Sequence, residues 1–290
     1  MSITVDDWRA LARSAPWLWQ TLRCVVTPAP GDEFEGYAEP IRVWTGREAG
    51  LRVESLQGRV HQVDRKTGHP LPTRFSTAPV LDGPPPRGYM PGVYVEQPRS
   101  AAQQALYERE QVELAAEREA RLAAVVRRPD GLVADRVGTH RELDVCLISS
   151  YLWVAVMDPH ELTDGCDPED VVDRDGTRVE DVRVLEHRGR ETWAATVTPL
   201  DSYDPHCSCC PLLTGRAAAE LMVRTGESDE PDPQGATRFE VWLDRATGVV
   251  VRLRALDGRQ EGDGFDLEIE AVDEPLPAGL PGAVGPAGET

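Results

Sequence analysis

The residues most able to do chemistry stand together in His206-Cys207-Ser208-Cys209-Cys210, followed by Pro211. Cysteine thiolates and imidazole nitrogens are the ligands zinc prefers, about four per ion. The run therefore offers His206, Cys207, Cys209 and Cys210 as a metal set, with zinc the ion it would take. Consecutive ligands strain a single tetrahedron, so two or three of the four are expected to bind together. Cys146 or Cys166 could complete such a site if the fold brings them near.

Other readings fit the same residues. Cys207 and Cys210 form a Cys-x-x-Cys pair that could act as a reversible dithiol, but thioredoxin-type motifs open a helix. Here Pro211 follows, and no βαβ pattern surrounds the motif. A nucleophilic Cys207 or Cys209 would need a base, and His206 is adjacent in sequence; neighbouring strand residues, however, face opposite ways. The plainest reading is a set of small thiols packing beside Leu212 and Leu213.

No other chemistry is signposted. Walker A, GxGxxG, HExxH and GxSxG motifs do not occur. His61, His69, His140, His160 and His187 are scattered, and the acidic run from Asp164 to Asp175 lacks the spacing and glycine of a calcium loop. With 50 acidic against 31 basic residues the net charge is −19, which disfavours nucleic acid and an anionic membrane surface as partners. No basic, apolar leader opens the chain, and no apolar run reaches the roughly 18 residues of a membrane helix. The expectation is a soluble, cytoplasmic protein with free thiols and no membrane insertion.

Asp6 to Ala15 is a short helix that Pro16 should stop. Strand patterns run over Trp17 to Val26, Ile41 to Trp44, Leu51 to Leu56 and Val60 to Val63. Residues 68–100 are a Pro-rich loop, and 101–126 compose an inserted charged helix with a thin apolar stripe. Cys146 to Ser149 and Tyr151 to Met157 read as strands, with Asp158, Pro159 and Glu161 then describing a helix start. Two hairpins flank the cysteines, Val179–Val184 with Gly189–Pro199 and Arg238–Asp244 with Val249–Leu253, and Phe265 to Glu270 is a last alternating strand. Phe239, Val241 and Leu243 share one face against Glu240, Trp242 and Asp244, which predicts one covered and one wet side. The loop Asp64-Arg65-Lys66-Thr67-Gly68 echoes Asp244-Arg245-Ala246-Thr247-Gly248, as hairpin turns commonly do. Residues 1–274 are thus expected to form a single domain and 275–290 a Pro- and Gly-rich disordered tail.

The stretches Gly189-Arg190-Glu191-Thr192-Trp193, Val197-Thr198-Pro199 and Val241 to Leu253 resemble the lipoprotein-localisation-factor superfamily, which includes the outer-membrane lipoprotein carriers. The chain looks most like cytoplasmic proteins of high-GC actinomycetes, of no assigned role, that share this sheet. The resemblance implies an α+β fold: a large curved antiparallel sheet, an incomplete barrel, covered by a few helices. It further implies a non-enzymatic protein that binds an apolar ligand or a protein partner in or on the sheet. The carriers are exported and lack the cysteine cluster, so the alternative is a zinc-binding or thiol-redox protein acting through Cys207 to Cys210. Trp17, Trp19, Trp44, Trp153, Trp193 and Trp242 would mostly serve the core.

Overall fold

A computed structural model describes residues 3–46, 50–65, 109, 120, 123–136, 151–166, 173–277 and 280; the side chains of 62–65, 166, 173 and 174 lie outside it. The Pro-rich loop 68–100, most of the inserted helix 101–126, and Cys146 to Ser149 fall outside the described residues. Of the tail, 275–277 and Leu280 are described, and Leu280 is buried.

The fold is α+β; among the described residues it is built on one nine-stranded antiparallel sheet that stays open. Its strands are β1 (Thr21–Pro28), β2 (Ile41–Gly46), β3 (Gly50–Ser55), β4 (Val60–Arg65), β9 (Thr177–His187), β10 (Arg190–Pro199), β11 (Phe239–Asp244), β12 (Val250–Ala255) and β13 (Gly264–Val272). The order is β4-β3-β2-β1-β13-β12-β11-β10-β9. Two meanders, one from each end of the chain, are joined by the pairing of the first strand with the last, from Leu22↔Val272 to Pro28↔Phe265. Two short ladders lie apart from it: β5 (Val126–Arg127) with β6 (Val133–Asp135), and β7 (Asp164–Cys166) with β8 (Asp173–Asp175). Val126 is therefore in a strand, where the composition read helix, and the acidic run from Asp164 to Asp175 begins and ends in paired strands.

Alternation sets the two faces, as period-2 patterning requires. Leu22, Cys24, Val26, Val43, Val53, Val241, Leu243, Leu253 and Leu267 are buried inside. The opposite face carries ion pairs across strands, such as Arg42 bonding both oxygens of Glu270 at 2.8 and 2.9 Å. Arg252 reaches Asp266 at 3.1 Å and also covers the Trp242 ring. Exposed pairs of this kind contribute little stability each, but they keep the outer face wet.

Helix α1 (Val5–Leu18) fills the inner face. Thr4 and Asp7 form a reciprocal capping box at its start. The helix runs on through Pro16, where the sequence pattern ends it. In the last turn a proline removes only one backbone donor, and the burial of Pro16 and Trp19 offsets that loss. Trp8 and Leu11 are fully buried, and the Trp8 indole donates to the Trp193 carbonyl at 3.0 Å.

Tyr151–Met157 is a helix, α2, and not a strand. Trp153 to Met157 are all buried, so no alternation or stripe marks the period, and a short apolar run of this kind reads equally as either element. A 3-10 turn, Pro159–Leu162, follows it. A further helix among the described residues, α3 (Arg216–Arg224), has no counterpart in the sequence reading, although Ala217-Ala218-Ala219-Glu220-Leu221-Met222 consists of strong helix formers.

Candidate functional site: a cysteine arch and the buried cluster beneath it

The loop from β10 to α3 leaves the sheet at Pro199 and is tied down at once. Leu200 donates its amide to the Gly176 carbonyl at 3.0 Å, and the Ser202 hydroxyl donates to the Asp175 carbonyl at 2.7 Å. Strand β7 passes so close that a Cβ on Gly165 would lie 2.3 Å from the Ser202 carbonyl oxygen. Only glycine allows that approach.

From there the loop forms an arch. Its feet are buried: Tyr203, Pro205 and His206 on one side, Pro211, Leu212 and Leu213 on the other. Its crown is Cys207-Ser208-Cys209-Cys210, in which Cys207 and Cys210 are half-buried and Cys209 is exposed. One carboxylate holds both feet. Glu161, fully buried in the 3-10 turn, accepts the Tyr203 hydroxyl (2.5 Å) and the Leu212 amide (2.9 Å) on Oε1 and the His206 amide (3.1 Å) on Oε2. The Tyr203 oxygen in turn accepts the Leu213 amide at 3.2 Å. Burial, with Glu161 alongside, pushes the Tyr203 phenol far above its ordinary range, so it remains a donor. The crown has its own tether, from the Ser208 hydroxyl to Glu227 beyond α3 at 2.5 Å.

The three thiol sulfurs of the crown all lie within 4.8 Å of one another, with Cys207 and Cys209 only 2.9 Å apart. A hydrogen bond from the Cys210 thiol draws the Cys207 thiol down to about 5; burial opposes this, and the Cys209 thiol and the amides of 209 and 210 add to it. The Cys210 thiol moves up, because it donates to Cys207, and Cys209 also moves up, chiefly through burial.

His206 does not join them. Its ring stands edge-on to His160, with centroids 4.3 Å apart, and its Nε2 lies 3.1 Å from the Asp158 carbonyl oxygen. A carbonyl only accepts, so this contact assigns the proton to Nε2. Asp158, His160 and His206 thus make a second cluster, fully enclosed, whose ligand-type atoms also lie within 4.8 Å of one another. Its donor set suits a metal by type, but its charges do not. Arg136, itself buried, grips the Asp158 carboxylate at 2.5 and 3.2 Å and donates to the Arg13 carbonyl at 2.6 and 3.1 Å. A guanidinium in that place fills the carboxylate and repels a further cation. Burial alone would raise the Asp158 carboxyl; the Arg136 charge overcomes it, helped by a hydrogen bond from His160, and holds the group well below the usual carboxylate range. Burial, then the charges of His206 and Arg136, bring His160 down to about 3, so it is neutral. Asp158 stands at the N-cap of the 3-10 turn, as the sequence pattern expects, but its side chain makes no cap bond, the carboxylate being turned to Arg136.

Of the four residues named from the sequence, the structure brings Cys207, Cys209 and Cys210 together and places His206 in the neighbouring cluster. Cys24 is fully buried in β1, where burial pushes its thiol up to about 12; Cys146 and the Cys166 side chain fall outside the described residues. Glu161, Tyr203, Arg136 and Asp158 were not read as site residues. Their bonds join positions 22 to 51 apart, which no local motif reports. Among the described residues, no helix is long and apolar enough to cross a membrane. In comparisons with known proteins, no family model, curated protein or solved structure matches this chain.

Proposed function

We propose that this chain is a thiolate metal-binding protein that takes zinc, or another thiophilic divalent ion, on the arch at Cys207, Cys209 and Cys210. The observation that supports it is the convergence of three thiol sulfurs within 4.8 Å on a partly exposed loop whose two feet are pinned by Glu161. Zinc–sulfur bonds of about 2.3 Å put the sulfurs of a tetrahedral site about 3.8 Å apart, a spacing the arch reaches with a small opening of the Cys207–Cys209 pair. The ion would replace the thiol protons, and Cys207 has the least hold on its own. Pinned feet lower the ordering cost of assembling the ligands. No catalytic role is assigned to the site. A reducing compartment such as the cytoplasm would keep these thiols available.

The apolar-ligand reading that accompanies the lipoprotein-carrier resemblance stands second, because the inner face of the sheet is covered by the chain's own Trp8, Leu11 and Trp153. Reconstitution separates the two. Metal-free protein incubated with zinc and passed through a desalting column should retain about one ion per chain, and Cys207→Ser/Cys209→Ser/Cys210→Ser should retain none. Equal retention by both proteins would sink the proposal.

A further inference from the structure

The crown brings two sulfurs closer than metal binding requires. Cys207 Sγ and Cys209 Sγ stand 2.9 Å apart, while a disulfide bond measures about 2.05 Å, so closure needs under about 1 Å of movement. Both residues reach the surface, Cys209 as an exposed side chain, whereas Cys24 is sealed in the sheet. The tether from Ser208 to Glu227 holds the backbone between the pair, and the Glu161 clamp holds it at His206 and Leu212 on either side. Ion and bridge would use the same lone pairs.

We propose that Cys207 and Cys209 form a peroxide-reactive dithiol whose oxidation to a disulfide releases the ion from the arch. The inference rests on the arch being the metal site. In the first step the Cys207 sulfur attacks one oxygen of hydrogen peroxide; the S–O bond forms, the O–O bond breaks, and hydroxide leaves and takes a proton to become water. In the second step the Cys209 sulfur attacks the sulfenic sulfur of Cys207; the S–S bond forms, the S–O bond breaks, and the departing hydroxide takes the Cys209 proton as a second water. Two thiols are oxidised and one peroxide is reduced to two waters. Cys210 alone is then left as a thiolate ligand, too few for zinc.

The test uses the full chain in zinc-loaded and metal-free forms, treated with stoichiometric hydrogen peroxide. Peptide mapping should place the new bridge between Cys207 and Cys209, with loss of two hydrogens from the intact mass and full reversal by dithiothreitol. A chromophoric chelator should register loss of the whole zinc complement from the loaded form. Cys209→Ser/Cys210→Ser, which removes both neighbouring thiols, should stop at a sulfenic acid on Cys207, trapped by a dimedone-type reagent. A bridge to another cysteine, or direct passage of Cys207 to sulfinic acid in the unmutated protein, would overturn the inference. The metal-free arm keeps the two claims apart: a bridge without zinc binding defeats the metal site alone, and zinc binding without a bridge defeats the dithiol alone.

Discussion

Two clusters of metal-ligand residue types adjoin along the chain at His206 and Cys207, and they differ in burial, in charge and in how far their donors are already committed. The cysteine arch is partly exposed, and its donors are bonded mainly to one another. The Asp158–His160–His206 cluster is sealed, and its carboxylate is already held by Arg136. Ligand type therefore does not make a site. What decides is whether the lone pairs are already committed and whether the local charge leaves room for a cation. The lower cluster serves the upper one as a foundation: His206 is both a member of the buried group and the residue that starts the crown.

Breaking the foundation should have the largest effect. Arg136→Met leaves the Asp158 carboxylate buried without a counter-charge, and should cost about 3–5 kcal/mol in urea unfolding. Pairing it with Asp158→Leu should recover most of that loss; a double variant as unstable as the single one would mean the ion pair is not what matters. Glu161→Gln should cost about 2–3 kcal/mol, since one acceptor oxygen replaces two and an amide donor faces the Tyr203, His206 and Leu212 donors. It should also weaken zinc retention, a readout that simple destabilisation of a distant core would not move.

The buried histidine gives a smaller, pH-dependent effect. The His160 pKa falls from 6.5 unfolded to about 3 folded, so between those values the unfolded chain binds a proton that the fold refuses. Stability is then complete above 6.5 and falls as the pH drops, by at most about 1.4 kcal/mol per pH unit from this group. His160→Phe should flatten that slope in chemical denaturation at stepped pH, and an unchanged slope would remove His160 as its source. Smallest in stability is Cys209→Ser, expected within about 0.5 kcal/mol of the parent, because the side chain is exposed. Its zinc retention should nonetheless drop sharply. That contrast, stability kept and metal lost, separates it from Arg136→Met, whose effect is first on stability.

How much of this was legible follows from the range of each interaction. The strands of the sheet could be read because alternation is local: Phe239-Glu240-Val241-Trp242-Leu243 states which side is inside. Tyr151–Met157 could not, because a segment buried all round has no period to read. The cysteines declared themselves by adjacency. The separation of His206 from them was hidden, since it depends on a ring contact with His160, 46 positions earlier, and on the Asp158 carbonyl. Glu161 looked like a helix-start residue because its spacing after Asp158 fits one; its partners lie more than 40 positions downstream.

The most direct measurement is zinc K-edge X-ray absorption on the reconstituted full-length chain. The expected first shell has three sulfur neighbours at about 2.3 Å, lost in the triple Cys207→Ser/Cys209→Ser/Cys210→Ser variant. A first shell of nitrogen and oxygen only, unchanged by that substitution, would contradict it.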